Sequence, residues 1–307
     1  ANASDIRYHN NATVVVTVPS DATGIVYATV DGENWYNATI NNGKANIIIS
    51  GLTGGNYTAF VLYAGDDNYT WAFTFDKFKV IRIDPEINVS VADITYGEDA
   101  TVVVTVTGVD GNPVTGNVTF YFGSEEITVE LDENGTASYT FSGLGAGAYD
   151  GNVRYNGNDN YTYVLDQFEF TVYKADPTIY VDVGPNKPVM TEIIEGDDVI
   201  VIVTLPEDAT GIVGFSLDGG KTWVYADVIN GTAKYVFKGL KAGEYNLLVR
   251  YFGDENYNPA DVNTTFVVEA LPAPESPLTT MPNTGNPLLV LLIALAGLGL
   301  GSLKRKL

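Results

Sequence analysis

The chain has 307 residues, a formal net charge of −22, a single histidine and no cysteine. This composition excludes disulfides, thiolate nucleophiles, the usual zinc and iron–sulfur ligand sets and multi-histidine metal sites. Nucleic-acid binding is not expected, because phosphate contacts need basic residues and 38 acidic residues here oppose 16 basic ones. Abundant Tyr, Val, Thr, Gly and Asn are typical of β-structure with many turns.

Two short motifs recur three times along the chain, with offsets of 92 and then 96 residues. The Gly-Leu motif begins with Gly-Leu, ends in Tyr and occupies residues 51–57, 143–149 and 239–245. The Asn-Tyr loop has the pattern Gly-x-x-Asn-Tyr and occupies residues 65–69, 157–161 and 253–257. Because two independent motifs keep the same spacing, the sequence predicts three tandem units of about 90 residues.

Within each unit, apolar residues alternate with polar ones and predict strands with one buried face. Residues 14, 16 and 18 are all Val, as are residues 102, 104 and 106 in the second unit. No window before the extreme C-terminus shows a helical period, and the unit length is that of an Ig-type sandwich. The sequence therefore predicts an all-β fold of tandem Ig-like sandwiches, and the three Asn-Gly pairs, Asn42-Gly43, Asn134-Gly135 and Asn230-Gly231, predict hairpin turns.

Asp84-Pro85 and Asp176-Pro177 mark the joints between units. The predicted domains are unit one (1–81), unit two (82–173) and unit three (174–269), followed by a linker (270–285) and an anchor segment (286–307). Because both joints are only a few residues long, neighbouring units are expected to be coupled end to end.

Unit one is expected to lack most of its first strand. Unit two begins with the run 87–91 before Asp93-Ile94-Thr95-Tyr96, whereas only Ala1–Ser4 precede Asp5-Ile6-Arg7-Tyr8 in unit one. One interpretation is that the chain is cut from a longer array or starts at a processing site. The other is that the vacant edge accepts a strand from another molecule.

The C-terminal end has the layout of a membrane anchor. A Pro/Ser/Thr-rich spacer is followed by the seventeen uncharged residues Pro287–Leu303 and the basic tail Lys304, Arg305 and Lys306. Seventeen helical residues span about 25 Å, which is the short limit for a bilayer. The sequence predicts one transmembrane helix whose basic tail stays cytoplasmic, which places the acidic units outside the cell.

The pentapeptide Met281-Pro282-Asn283-Thr284-Gly285, the apolar run and the basic tail together resemble a sortase sorting signal of the Leu-Pro-any-Thr-Gly type. Pro282, Thr284 and Gly285 match that pattern, Asn283 takes its variable position, and Met281 stands where leucine is usual. The resemblance implies that a sortase-like transpeptidase cuts after Thr284 and joins it to a surface amine. The alternative is a membrane anchor that is retained.

The repeats also resemble a known family. The run Asp93–Val104, the later Asn134-Gly135-Thr136-Ala137 and the two motifs look like the Ig-like repeats of prokaryotic surface adhesins, most of all the long adhesin-like proteins of methanogenic archaea. This resemblance implies β-sandwich stalk domains on an exported, cell-surface protein. Such motifs are structural, so they identify a fold better than a ligand.

Asn-x-Ser/Thr sequons are frequent and are candidates for N-glycosylation. The eleven sequon asparagines are Asn2, Asn11, Asn37, Asn56, Asn68, Asn88, Asn117, Asn134, Asn160, Asn230 and Asn263. Glycans there would solvate the units and cover exposed sheet edges. The alternative is that Asn, Ser and Thr are simply common in strands and turns.

Three further features have a structural and a functional interpretation. Ser216–Trp223 resembles the Asp-box hairpin of sialidase-like propellers, with a looser version at Thr29–Trp35, which implies a structural turn with a packed Trp rather than a sugar-stacking one. The Asn-Tyr loops are predicted to be turns, with calcium binding as the alternative. His9 takes the position of Gly97 of unit two, in a turn, and is expected to face solvent.

No catalytic constellation and no phosphate-binding loop is found, so we expect neither enzyme activity nor a cofactor or metal site. The sequence favours the stalk of a cell-surface adhesin-like protein, anchored at its C-terminus to the envelope or membrane, that extends distal binding regions. In the first alternative, the repeats themselves bind glycans or proteins of host or neighbouring cells. In the second, they form the stalk of a surface enzyme whose catalytic domain lies upstream.

Overall fold

The computed structural model describes residues 1–187 and 192–273, and all regular secondary structure in these ranges is β. Among the residues described, no helix is long and apolar enough to cross a membrane. The predicted sorting motif (281–285), transmembrane segment (286–307) and basic tail lie outside the described residues.

Within the described residues the three units contain eight strands each, in equivalent order. Unit one contains β1 (Asn2–Ala3), β2 (Ile6–Arg7), β3 (Ala12–Thr17), β4 (Ile25–Thr29), β5 (Tyr36–Thr39), β6 (Lys44–Ile49), β7 (Gly55–Tyr63) and β8 (Ala72–Ile81). Unit two contains β9 (Glu86–Ser90), β10 (Ile94–Thr95), β11 (Ala100–Thr107), β12 (Asn117–Phe122), β13 (Glu125–Glu130), β14 (Thr136–Phe141), β15 (Gly147–Tyr155) and β16 (Val164–Tyr173). Unit three contains β17 (Tyr180–Pro185), β18 (Ile193–Ile194), β19 (Val199–Thr204), β20 (Ile212–Ser216), β21 (Val224–Asp227), β22 (Thr232–Phe237), β23 (Gly243–Tyr251) and β24 (Ala260–Glu269).

Each unit is a sandwich of a three-stranded and a five-stranded sheet. In unit two the orders are β9-β11-β14 and β10-β16-β15-β12-β13, and the other two units repeat this arrangement strand for strand. The short edge strand β10 runs parallel to β16, whereas the other pairings are antiparallel. The predicted all-β fold of repeated Ig-like sandwiches is therefore confirmed.

Each sandwich buries one face of each sheet in a core of its own. Val102, Val104 and Val106 on β11 are fully buried, as are Val153 and Tyr155 on β15. Each of these strands alternates buried and more exposed residues, as expected for a sheet with one wet face. Burial of each large apolar side chain contributes about 1.5–3 kcal/mol, so each unit carries its own source of stability.

The tyrosine that ends each Gly-Leu motif closes the turn that precedes its strand. The hydroxyl of Tyr57 donates to the carbonyl of Thr53 at 2.9 Å, and Tyr149 and Tyr245 make the same bond to the residue four positions earlier. The recurrence of this tyrosine therefore has a local structural cause.

The prediction of hairpins at the Asn-Gly pairs is wrong in one respect. Asn42 and Gly43 both have positive φ, 48° and 71°, as a tight turn of this kind requires. However, β5 and β6 lie in different sheets, and only the single bridge between Asn41 and Lys44 joins the flanking residues. The strand after the turn, β6, pairs with β3 instead of β5, and the Gly43 carbonyl accepts a bond from the Val18 amide at 3.0 Å.

Candidate functional site: the joints between the units

The two recurring motifs meet each other across the joints between units. At joint 1/2 the Gly-Leu motif of unit one contacts the Asn-Tyr loop of unit two, and at joint 2/3 the corresponding motifs of units two and three make the same contact. The two motifs therefore recur with the same offset because they form the two halves of one interface. Each unit contributes the Gly-Leu motif to the joint that follows it and the Asn-Tyr loop to the joint that precedes it.

An asparagine side chain forms the central polar contact of each joint. The amide N–H of Gly54 donates to Oδ1 of Asn160 at 2.9 Å, and the amide N–H of Ala146 donates to Oδ1 of Asn256 at the same distance. Gly54 lies so close to unit two that a Cβ added there would stand 1.9 Å from the carbonyl oxygen of Asp159. A side chain at position 54 is thus incompatible with joint 1/2 as it stands.

The linker residue between the units is bound as a short strand to the following unit. The amide of Ile83 donates to the carbonyl of Asn160 at 3.2 Å, and the Ile83 carbonyl accepts from the amide of Thr162 at 2.9 Å. Ala175 makes the same two bonds, with the Asn256 carbonyl and the Asn258 amide, each at 2.9 Å. Because both backbone groups of the linker residue are engaged, the linker cannot rotate freely while the joint is closed.

A pair of tyrosines packs edge to face at each joint. Tyr8 meets Tyr161 with ring centroids 5.5 Å apart and an angle of 80°, and Tyr96 meets Tyr257 at 5.4 Å and 83°. Such pairs contribute about 0.5–1.5 kcal/mol beyond the area they bury. In each pair, the first tyrosine follows a short parallel strand and the second ends the Asn-Tyr loop.

At joint 2/3 a carboxylate holds both tyrosines. The hydroxyls of Tyr96 and Tyr257 donate to the two oxygens of Asp208, at 2.5 and 2.8 Å. The bond from Tyr96 is the main reason that the pKa of Asp208 lies below its ordinary value, since partial burial acts in the opposite direction. Burial and the hydrogen bond to Asp208 raise the pKa of Tyr257, so its hydroxyl stays protonated and can donate.

At joint 1/2 the histidine takes part instead, although it is exposed as expected. Nε2 of His9 lies 3.2 Å from Oη of Tyr161 and 3.9 Å from a carboxylate oxygen of Asp110, and its ring packs on Tyr8 at 4.2 Å. The predicted turn is confirmed, because His9 has a φ of 73° and Gly97 one of 90°. The sequence could not place His9 in a joint, because its partners lie in the next unit.

The Asn-Tyr loops are turns, as predicted from their composition. Oδ1 of Asp66 accepts the amides of Asn68 and Tyr69, both at 2.8 Å, and Oδ2 accepts the amide of Thr23 at 2.8 Å. Asp254 in unit three makes the corresponding bonds. These carboxylate oxygens shape the loop that bears the joint asparagine, and they are already occupied by backbone donors.

The Asp-box-like segment is also a structural turn. Asp218 accepts the Thr222 hydroxyl at 2.6 Å and the amides of Thr222 and Lys221 at 2.9 and 3.0 Å, and these hydrogen bonds, the one from the Thr222 hydroxyl above all, hold its pKa well below the ordinary value. The predicted packed Trp is confirmed in unit three, where Nε1 of Trp223 donates to the Gly220 carbonyl at 2.9 Å. Trp35, in the looser version, is instead half exposed.

The sequon asparagines divide into two groups. Ten of the eleven are exposed on the surfaces of the units: Asn2, Asn11, Asn37, Asn56, Asn68, Asn88, Asn117, Asn134, Asn230 and Asn263. Asn160 is only partly exposed, and its side-chain oxygen is the acceptor in joint 1/2. Asn160 is therefore less accessible to a glycan-transferring enzyme than the other ten sequon asparagines while joint 1/2 is closed.

Residues 87–172, which cover most of unit two, match the family model of the bacterial Ig-like domain (group 3). No curated protein matches the chain. Among solved structures, the tetra-tandem repeat in the extending region of a large adhesion protein aligns with a TM-score of 0.42 and 16% identity, over 84% of this chain and 70% of that one.

Two further structures align more weakly. A structure from a 1.5-MDa bacterial ice-binding adhesin gives a TM-score of 0.32 at 15% identity, over 88% of this chain and 97% of that one. Fibronectin(III)-like modules from Clostridium thermocellum give 0.25 at 18% identity, over 60% and 95%. These scores are too low to carry an argument about the function of this chain.

Replacing Gly54 by Ala is expected to open joint 1/2 and leave both sandwiches folded. The new methyl group would collide with the backbone of Asp159, and such overpacking costs about 1–3 kcal/mol. Gly55→Ala is the matched control, since its Cβ would meet only Cε2 of Tyr57, at 3.8 Å. With dyes on Lys44→Cys and Glu133→Cys, the distribution of single-molecule FRET efficiencies should be broader in Gly54→Ala than in Gly55→Ala. Equal distributions in the two variants would contradict the closed joint.

Removing the carboxylate of Asp208 is expected to loosen joint 2/3 by about 1 kcal/mol, because two tyrosine hydroxyls lose their acceptor. Asp21→Ala is the control, since Asp21 binds only Tyr69 of its own unit.

In the unsubstituted chain the lowered pKa of Asp208 means that its contribution is present above pH 3.8 and is lost as the pH falls through the lower, folded value. FRET between units two and three should show this acid transition, and Asp208→Ala should abolish it.

Peptide mapping of the native protein should distinguish two sequons at the same loop position. If N-glycans are attached, we expect them on Asn68, which is exposed, and not on Asn160, which is engaged in joint 1/2. Glycan on Asn160 at an occupancy equal to that on Asn68 would contradict this expectation. Bare asparagine at every sequon would show that the predicted glycosylation is wrong.

Proposed function

We propose that this chain is a structural stalk that holds distal binding regions away from a cell envelope. The observation that supports this proposal most directly is that both joints use the same set of contacts: a backbone amide on an asparagine, a linker residue bound to the next unit and an edge-to-face tyrosine pair. Contacts that are repeated between units define the direction from one unit to the next, which is what a spacer needs.

The separation between the cores within the units and the contacts between the units supports the same proposal. Each unit has its own hydrophobic core, which lies mostly within the unit, and the joints add one packed tyrosine and the contacts that define geometry. Strands of about eight residues at about 3.3 Å each give three units in a row a length on the order of 100 Å. The net charge of −22 keeps such a surface soluble and discourages self-association.

We further propose that the stalk lies outside the cell and is attached through its C-terminus. This part of the proposal rests on the sequence alone: the sorting-like motif at 281–285, the uncharged run Pro287–Leu303 and the basic tail. The attachment is either covalent, through a sortase-like transpeptidase acting at Thr284, or a retained membrane helix. The chain is proposed to act without catalysis, and an upstream enzyme or an upstream adhesive domain are both compatible with that role.

A second candidate function, adhesion by the repeats themselves, is favoured by an aromatic surface on unit one. Phe60 and Phe75 face each other across β7 and β8 on the outer side of the five-stranded sheet, 51% and 58% exposed, and Phe73 and Trp71 continue the patch. At the position of the Phe60–Phe75 pair, unit two has Asn152 paired with Gln167. A contiguous patch of exposed aromatic rings is typical of a binding surface.

The stalk proposal is tested by the distance between units one and three. Because the chain has no cysteine, Lys44→Cys and Lys221→Cys label it at two defined and exposed positions. A single narrow FRET distribution is expected, since both joints fix the direction of the chain. A broad distribution that follows a flexible-linker model would contradict a stalk.

The adhesion candidate is tested separately with a glycan array and with cell-surface proteins. Binding that is lost in Phe73→Ser/Phe75→Ser and kept in Leu165→Ser/Gln167→Ser, the matched positions of unit two, would establish unit one as an adhesive module. If no ligand binds and the FRET distance distribution between units one and three is narrow, the stalk function alone is favoured.

A further inference from the structure

The outer face of the five-stranded sheet of unit one carries aromatic and cationic side chains in one line along β8. Residues 73, 75, 77 and 79 point to this face, because the buried Phe78 and Val80 take the inner one. In order they are Phe, Phe, Lys and Lys, and Trp71, just before β8, stacks on Phe73 with ring centroids 6.5 Å apart. At about 3.3 Å per residue, this aromatic–lysine line from residue 71 to residue 79 spans about 26 Å.

The neighbouring strand β7 continues both parts of the line. The four cross-strand pairs on this face are Leu62–Phe73, Phe60–Phe75, Thr58–Lys77 and Asn56–Lys79. The aromatic part of the line therefore widens into an apolar patch, and the two lysines lie beside uncharged polar side chains. The face has an aromatic end and a cationic end that adjoin each other.

The two lysines have no internal counter-charge. The strands β4, β5, β7 and β8 contain a single acidic residue, Asp76, which lies on the side of the buried residues and accepts the amide of Ala3 at 2.7 Å. Within the described residues, neither Lys77 nor Lys79 forms an ion pair with a carboxylate. On a chain with a net charge of −22, this face is thus a cationic exception that suits an anionic partner.

The same face of the other two units is built differently. In unit two, the position of the Lys77 pair is taken by Asp150 and Glu169, two carboxylates directly opposite each other. In unit three it is taken by two uncharged residues, Asn246 and Thr265. Because all three units have the same fold, the aromatic–lysine line is not a requirement of the sandwich.

We propose that the aromatic–lysine line binds an acidic polysaccharide. The C–H faces of its sugar rings stack on Trp71, Phe73 and Phe75, because the faces of aromatic rings carry negative partial charge and attract C–H groups. Carboxylates further along the same polymer pair with Lys77 and Lys79. This inference rests on the adhesion function proposed above and specifies the ligand of that function.

The shape and charge of the face favour this ligand over other classes. A compact small molecule needs a concave site, whereas a flat line of about 26 Å suits an extended chain. Single-stranded nucleic acid also stacks on aromatic rings, but its dense phosphates would meet only two lysines on a chain of net charge −22. A stable protein interface takes about 20–30 residues a side, whereas the line and its cross-strand partners number nine.

The charge requirement is tested by titrating the full chain with three polyuronates: alginate, polygalacturonate and hyaluronate. At least one should bind, with an affinity that falls as NaCl screens the charges, and its carboxyl-reduced form should bind at least about tenfold more weakly. Lys77→Gln/Lys79→Gln should weaken binding about tenfold, because two exposed ion pairs are lost, and Lys77→Arg/Lys79→Arg should retain it. The control is Lys221→Gln/Lys234→Gln, which removes two exposed lysines of unit three and should leave the affinity unchanged.

The position of the polymer is read from Trp71, which is 64% exposed. Stacking of a sugar ring should shift tryptophan emission to shorter wavelength, and Trp71→Phe should reduce this shift although it keeps a ring at that position. A shift that is unchanged in Trp71→Phe would place the polymer elsewhere and overturn the proposal.

Failure of this inference and failure of the adhesion function give different results. Equal binding of native and carboxyl-reduced polymers, lost in Phe73→Ser/Phe75→Ser and unaffected by Lys77→Gln/Lys79→Gln, would retain unit one as an adhesive module and overturn the acidic ligand. No binding of any of the three polyuronates would also overturn the inference, and the adhesion function then depends on the glycan array. Binding to anionic phospholipid vesicles, or dimerisation through this face, without binding of a polyuronate would assign the face to another partner.

Discussion

The geometry of this protein depends on one contact, the hydrogen bond from a backbone amide of one unit to the asparagine side chain of the next. Ordering a linker residue costs on the order of 1–2 kcal/mol of conformational entropy, and each joint offsets it by engaging both backbone groups of that residue. The asparagine is held in place to accept this hydrogen bond because an aspartate or asparagine two residues earlier accepts the loop amides and fixes the turn. The two motifs that repeat most clearly in the sequence are thus the two halves of one interface.

Stability and shape are separated in this architecture. Each sandwich carries a core of its own, whereas the joints consist of a few hydrogen bonds and one aromatic pair. Substitutions in a core are therefore expected to unfold one unit, whereas substitutions in a joint change the angle between folded units. This separation is the expected behaviour of an array in which each repeat contacts only its neighbours.

The joints share a framework and differ in detail. Joint 1/2 has Gly54 and His9, and joint 2/3 has Ala146 and Asp208 in its polar contacts. The closer backbone approach at Gly54 tolerates no Cβ, whereas the alanine of joint 2/3 already carries one. In unit three the residue after the short parallel strand is Glu195, where units one and two have Tyr8 and Tyr96, so this end differs from those that form the two joints.

The sequence by itself determined the features that depend on neighbouring residues. Period-two alternation and the unit length indicated three β-sandwiches, and the tyrosine of the Gly-Leu motif needs only a carbonyl four residues earlier. The turns of the Asn-Tyr loops and of the Asp-box-like segment are equally local, so their predictions are confirmed. The C-terminal anchor and the sorting motif stay predictions from sequence.

Only the tertiary structure decided what these elements contact. Gly54 and Asn160 are 106 residues apart, and Ala146 and Asn256 are 110 apart, so no local pattern could indicate that the two motifs meet. For the same reason the sequence could not show that the exposed His9 borders a joint, and the Asn-Gly turns were expected to close hairpins although they cross between sheets. Repetition revealed that these residues matter, but the reason lies in contacts between units, which form only when successive sandwiches are folded and placed end to end.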